Sequence, residues 1–165
     1  NPRLATANSN RGLVYRNMKD YQKAINDYDQ AIKLDPKYDT AYNNRGNAYN
    51  YLKDYQKAIV DFNQAIMLNP QNTNAFNNRG FVYTELKDYQ KAVADFSRVL
   101  EIDSQNSLAY YNRAYVYERL GNKNQAIADF KQAATLYQQQ GNLNDYKEAL
   151  QRIEKLNSQE LKLKS

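Results

Sequence analysis

Four arginines, Arg11, Arg45, Arg79 and Arg113, stand 34 residues apart. A guanidinium repeated at a fixed interval could form a cationic ladder against phosphates or an acidic ligand. Four aspartates keep the same interval, Asp27, Asp61, Asp95 and Asp129, each 16 residues after an arginine. If the chain turns back near Asp20, Arg11 and Asp27 come level, and a partly buried arginine needs such a partner. The pattern therefore favours structural ion pairs, made within one hairpin or from Asp27 to the next arginine, Arg45. A second column is neutral: Asn10, Asn44, Asn78 and Asn112. An asparagine amide both donates and accepts, so it can grip the backbone of a bound segment whatever that segment's side chains. Simple solvent exposure or helix-to-helix bonding would explain the same column, and duplication alone would copy an idle residue.

Other chemistry finds little to stand on. The 165 residues contain no histidine and no cysteine, which removes the commonest general base, the commonest metal ligand and all disulfides. No Gly-rich phosphate loop and no nucleophile with a basic partner occurs. The carboxylate pairs Asp27/Asp29 and Asp35/Asp39 fit caps, ion pairs and solvated faces. We expect no enzyme, no metal and no cofactor. The net charge of +5 is spread thinly, without a basic block, so nucleic acid is disfavoured as a partner. No run of 18 apolar residues exists to span a membrane.

The elements that position these columns follow from the period. Pro2, Pro36 and Pro70 are 34 residues apart, as are Gly12, Gly46 and Gly80. Lys19-Asp20-Tyr21-Gln22-Lys23-Ala24-Ile25 recurs at Lys53–Ile59 and, with valine last, at Lys87–Val93; Gly121–Ile127 is a degenerate copy. Such a period marks a repeat architecture, with units at 5–38, 39–72, 73–106 and 107–140. Each reads as two helices. Tyr42, Gly46, Tyr49 and Leu52 keep helical spacing, as do Tyr55, Ala58, Ile59, Phe62, Ala65 and Ile66. Asp39, Thr73 and Ser107 are placed to cap first helices, and Asp20, Asp54, Asp88 and Asn122 second helices. Lys19, Lys53 and Lys87 suit the negative end of the preceding helix.

The columns Gly12/Gly46/Gly80/Ala114, Tyr15/Tyr49/Tyr83/Tyr117, Ala24/Ala58/Ala92/Ala126 and Tyr28/Phe62/Phe96/Phe130, continued by Ala31, Ala65 and Ala133, resemble the tetratricopeptide repeat signature. The resemblance covers residues 5–140; Asn8, Val99 and Ser104 depart from it. It implies an all-α, right-handed superhelix, an alpha solenoid of four helical hairpins. The Asn-Arg-Gly style of the units resembles bacterial repeats, cyanobacterial ones among them. Residues 1–4 share the phase of a repeat's end, as if a preceding repeat closed there and the chain were part of a longer array. Leu143, Tyr146, Leu150 and Ile153, with Ala149 and Leu156 beside them, predict a capping helix over 141–157, and its Asp145–Leu150 stretch echoes a second helix. A polar, frayed tail is expected over 158–165.

The resemblance also implies a function: a protein-protein interaction scaffold that takes a peptide or partner segment in a concave groove lined by the first helices. The asparagine column falls on groove-facing positions, joined by Ser9, Leu13, Asn43, Asn47, Asn77, Phe81, Leu108, Tyr111 and Tyr115. Phe81, Tyr111 and Tyr115 could anchor apolar side chains, although rings in so tyrosine-rich a chain serve packing as readily. The family's clamp for a C-terminal carboxylate uses lysine and arginine. Here its positions hold Ser9, Leu13, Asn44, Asn74 and Asn78, or one repeat later Asn43, Asn47, Asn78, Leu108 and Asn112, without a cation. An RNA-binding array using the arginines, and self-association through end faces, are the alternative readings.

Overall fold

The computed structural model describes residues 2–163, with side chains through Ser158. Those residues form nine α-helices and no strand: α1 (Pro2–Asn17), α2 (Tyr21–Leu34), α3 (Asp39–Tyr51), α4 (Tyr55–Leu68), α5 (Thr73–Glu85), α6 (Tyr89–Ile102), α7 (Ser107–Arg119), α8 (Lys123–Gln139) and α9 (Leu143–Leu163). Among them no helix is long and apolar enough to cross a membrane. Helix α1 begins at Pro2, ahead of the repeat phase, because proline is well suited to a first helical position. Helix α9 runs to Leu163, past the expected end at 157, since neither Gly nor Pro interrupts it. Asn1 and residues 164–165, the ends of the expected leading and trailing segments, lie outside the described residues.

The chain forms two compact units, residues 1–82 and 83–165. In each, consecutive helices pack as hairpins: α1 on α2 and α3 on α4 in the first unit, α7 on α8 in the second, with α9 laid on α8. Alanines let the paired backbones approach while one aromatic per repeat fills the space between. Tyr28, Phe62, Phe96 and Phe130 are the largest fully buried side chains. Tyr28 lies with Ala24, Ile25 and Ala48; Phe62 with Ala58 and Val82; Phe96 with Ala92 and Val116; Phe130 with Ala114, Ala126 and Leu156. A Cβ added to Gly46 would stand 2.7 Å from Phe62 Cε1, and one on Gly12 2.7 Å from Tyr28 Cε1. Those glycines are a consequence of the ring opposite.

The hairpin turns are built alike. Asp54 N–H donates to the Tyr49 carbonyl and Lys53 N–H to Asn50, a helix ending that requires its penultimate residue in the left-handed region. Lys19, Lys53 and Lys87 hold φ of 62°, 60° and 61°, and Gly121 takes the same place at 77°. The lysines thus carry a backbone constraint beyond their charge. Asp20, Asp54 and Asp88 then cap the second helices, accepting from Lys23, Lys57 and Lys91 N–H; Asn122 makes no such bond. At the first helices the caps lie one residue earlier than expected. Asn72 and Asn106 accept from Ala75 and Ala109 N–H, so Thr73 and Ser107 are first helical residues. Tyr38 precedes α3, has no side-chain oxygen in reach, and leaves Asp39 inside the helix.

Candidate peptide-binding surface

Arg45 and Arg113 are held from both sides, Arg11 from one. Arg11 donates to Asp27 at 2.7 and 2.6 Å, Arg45 to Asp61 at 2.8 and 2.6 Å, and Arg113 to Asp129 at 2.7 and 2.9 Å. Each is a two-pronged fork on a buried carboxylate. A third arm reaches the preceding repeat, to Asp29, which the sequence marked only as one of a carboxylate pair, and to Asn63 and Ser97, which it did not single out. Arg45 Nη1 donates to Asp29 at 2.5 Å, Arg79 Nη1 to Asn63 at 2.5 Å, and Arg113 Nη1 to Ser97 at 3.0 Å. The link to the next repeat therefore runs from Asp29 to Arg45, while Asp27 stays with Arg11. A 34-residue column of acceptors, each 16 residues before the next arginine, was the available signal. Burial alone would lower the Arg45 pKa, but the bonds to Asp61 and Asp29 outweigh it and raise it overall. Asp95 is buried in the second unit. Aromatic faces back the guanidiniums: Arg45 lies 5.6 Å from the Tyr42 ring centre, Arg79 5.6 Å from Phe76, and Arg113 5.7 Å from Tyr110. Arginines so engaged offer little to a phosphate backbone.

The amide residues divide by unit. In the first, Asn43 is buried, and its Oδ1 accepts from Asn78 Nδ2 at 2.9 Å, tying α3 to α5. Asn43 and Asn78 are thus partly spent on helix-to-helix bonding. Asn10 is exposed; Asn44, Asn47 and Asn77 are half-buried. Asn44 and Asn47 make no side-chain hydrogen bond among the described residues. The Oδ1 of Asn77 is buried and accepts nothing, an unpaired acceptor in a structure where such groups are rare. Asn43, Asn44 and Asn47, and likewise Asn77, Asn78 and Phe81, fall at i, i+1, i+4 and so share a helix face. Phe81 is 46% exposed. Ser9 is buried and Leu13 half-buried.

In the second unit the expected aromatic anchors are engaged internally. Tyr111 donates its hydroxyl to Glu148 of α9 and packs edge-on against Phe130, with Tyr137 beside it. Burial, helped by the hydrogen bond to Glu148, pushes its pKa up to about 12. The Arg152 guanidinium lies 5.5 Å from the Tyr115 ring centre, and Tyr115 joins the cluster around Phe130. Arg152 also bonds Glu118, and Gln140 accepts from Ser107. These links span 33 to 37 residues, the separation of Asn43 from Asn78. Helix α9 therefore occupies the seat of a fifth first helix, although Asp145–Leu150 reads like a second one. Asn112 is half-buried and Leu108 exposed. No group of three potential metal ligands occurs among the described residues.

Comparison with known proteins places this architecture. A TPR repeat model matches residues 12–50, and two tetratricopeptide repeat models match residues 40–72 and 72–139. The first TPR domain of human RPAP3, solved by NMR, is 30% identical over 74% of this chain and 96% of that one, with a TM-score of 0.71. The first TPR of Spaghetti (RPAP3), bound to the HSP90 peptide SRMEEVD, is 29% identical over 73% and 96%, also at 0.71. MamA is 20% identical over 96% and 93%, with a TM-score of 0.72, and shares the fold. No curated protein sequence matches. Matched by repeat models from residue 12 to 139 and by a solved domain at 30% identity, the chain belongs to the tetratricopeptide repeat family.

Proposed function

We propose that this chain is a protein-interaction module whose first-helix faces hold a partner segment by its backbone. The carrying observation is Asn77. A buried acceptor left unpaired costs about 1–3 kcal/mol, and a turn of the half-buried Asn77 amide would present its oxygen to a backbone N–H of a docked segment, which supplies the missing donor. Asn44 and Asn47 present unspent amides one repeat earlier, and the exposed Phe81 offers an apolar contact beside Asn77. In the second unit Asn112 is the amide available, while Tyr111 and Tyr115 are committed to α9. The RPAP3 relative holds an HSP90 peptide, which supports a peptide as the ligand class. That peptide, SRMEEVD, is acidic. This chain has asparagines and leucines where a carboxylate clamp needs cations, so the preferred segment here is read through neutral backbone contacts. The Arg–Asp forks argue against the RNA reading.

A displayed random peptide library supplies the probe. Binders selected on the intact chain are retested on Asn77→Ala and on Asn44→Ala/Asn47→Ala, with folding checked by circular dichroism. Each variant should weaken binding about tenfold, the equivalent of about 1.4 kcal/mol. Asn77→Ala should at the same time raise the Tm of the free chain, because it deletes an unsatisfied acceptor. Peptides that bind all three chains equally would remove the amide face from the mechanism.

A further inference from the structure

On two neighbouring first helices an amide is followed, one turn later, by an exposed ring. Helix α3 carries Asn47 and Tyr51, and α5 carries Asn77 and Phe81. A spacing of four residues puts each amide and its ring on one helix face. The rings are 58% and 46% exposed. Tyr51 is exposed yet fixed, because its ring stacks on Tyr21 with centres 4.9 Å and planes 10° apart. Packing of the repeat does not require it, since the same position elsewhere holds Asn17, Glu85 and Arg119. One repeat later the counterparts of Tyr51 and Phe81 are Glu85 and Tyr115, which line a single pocket of about 190 Å³. The same repeat geometry sets Tyr51 and Phe81 across one joint of the first unit.

The side of α3 and α5 that carries these groups is uncharged. Arg45 and Arg79 reach instead to second helices, the one to Asp61 and Asp29, the other to Asn63. A charged segment would lose water on this face and gain no counter-ion. The step from α3 to α5 then sets the segment's period. Asn43 and Asn78 bond directly, and helices in such contact lie about 8–10 Å apart. A polyproline II segment turns once in three residues and about 9 Å, so it shows the same side to each helix it crosses. A β-strand repeats every two residues, about 7 Å, and falls out of step. Polyproline II also has no internal hydrogen bonds, which leaves its carbonyls open to asparagine amides, and proline-rich segments dock on aromatic-lined surfaces.

We propose that the segment held by the amide face is proline-rich and uncharged, a proposal that rests on the amide-face reading and names its occupant. The segment crosses α3 and α5 as a polyproline II helix with prolines against Tyr51 and Phe81. A non-proline residue at every third position keeps an N–H for the Asn77 oxygen, while carbonyls accept from Asn44 and Asn47. Such a segment is already extended in water, so little conformational freedom is lost on docking.

The probe is a capped peptide of four Ala-Pro-Pro units, titrated into the intact chain and followed by NMR. A capped peptide of four Ala-Leu-Ser units, apolar but without proline, is the control. The proline peptide should bind saturably below millimolar concentration and shift the side-chain amides of Asn47 and Asn77. Tyr51→Ser and Phe81→Ser, at exposed positions and checked for folding by circular dichroism, should each weaken it about tenfold. A ring alone makes the contact, so Tyr51→Phe should weaken it far less than Tyr51→Ser. No saturable binding at millimolar peptide would overturn the proposal. So would equal binding of the leucine peptide, or binding that survives both serine variants. Library-selected peptides that need Asn77 but neither ring, and carry no proline, would overturn the proline assignment and leave the amide reading standing. Proline-peptide binding lost with the rings yet indifferent to Asn77→Ala and to Asn44→Ala/Asn47→Ala would overturn both.

Discussion

Tyr28 occupies a column that phenylalanine fills in every other repeat, at Phe62, Phe96 and Phe130. Its ring is wholly buried, and its hydroxyl has no hydrogen-bond partner. Taking a hydroxyl out of water without replacing its bonds costs about 1–3 kcal/mol, against which the oxygen gains only a few dispersion contacts of about 0.1–0.2 kcal/mol each. Tyr28→Phe should therefore stabilise the chain by about 1–2 kcal/mol, or about 2–8 °C in Tm for a chain of this size. The effect has a second axis. Burial raises the Tyr28 pKa above its ordinary value of 10.0, so the folded state keeps a proton that the unfolded state releases. For such a raised group, stability is present below the unfolded pKa and is lost as pH rises above it. The advantage of Tyr28→Phe should then grow above pH 10, where the phenylalanine chain has nothing to titrate at that position. Urea unfolding of both chains at pH 7, 10 and 11, followed by circular dichroism, measures both effects. A Tyr28→Phe chain that is less stable at pH 7, or whose advantage shrinks at pH 11, would show the hydroxyl to be hydrogen-bonded and the reasoning wrong.

Two further outcomes follow from the repeat geometry. Gly46→Ala should destabilise by about 1–3 kcal/mol in thermal unfolding, because its Cβ would lie 2.7 Å from Cε1 of the fully buried Phe62; an unchanged Tm would mean that this hairpin accommodates the methyl group as the one carrying Ala114 and Phe130 does. Lys53→Gly should stabilise by about 1 kcal/mol, since Lys53 sits at φ 60° where glycine is unstrained, and the same change at the exposed helical Lys33 should instead cost about 1 kcal/mol.

How far the sequence revealed this depended on whether a feature was set by periodicity or by packing. The hairpins were legible because apolar spacing, alanine columns and turns all repeat together. The fork from Arg113 to Asp129 was legible only as one of two pairings, because an aspartate level with its own arginine could equally reach the next repeat's, and packing decides between them. The turn lysines were not, since lysine has no preference for a left-handed backbone; only Gly121, in the same column, marked the constraint. First-helix caps were misplaced by one residue because Asn72-Thr73 and Asn106-Ser107 offer two good caps in succession, and the backbone decides between them. Tyr111 and Tyr115 read as ligand anchors because their fate lies with α9. Its register as a first helix shows in Glu148 and Arg152, single residues outside the four repeats.

The third arm of the arginine column gives the repeats unequal joints. Arg45 meets a carboxylate at Asp29, Arg79 an amide at Asn63, and Arg113 a hydroxyl at Ser97. At the next step the corresponding pair is Lys131 and Lys147, two cations. All three bonds carry the arginine's charge, but only the first joins two ionised groups, so the contribution to coupling is largest at Asp29 and gone where two cations meet. In a repeat protein stability is a sum of unit and nearest-neighbour terms, and such a gradient leaves the joint between α2 and α3 better tied by this arm than that between α6 and α7. The loss at α9 is made good by different chemistry, the Tyr111–Glu148 and Glu118–Arg152 bonds, which explains why the residues expected to receive a ligand there are the ones used to fasten the last helix. On the amide face of the first unit only the Asn43–Asn78 bond fastens one helix to another. Asn44, Asn47 and the Asn77 oxygen stay unbonded among the described residues, the arginine side of the same helices securing the joints as well.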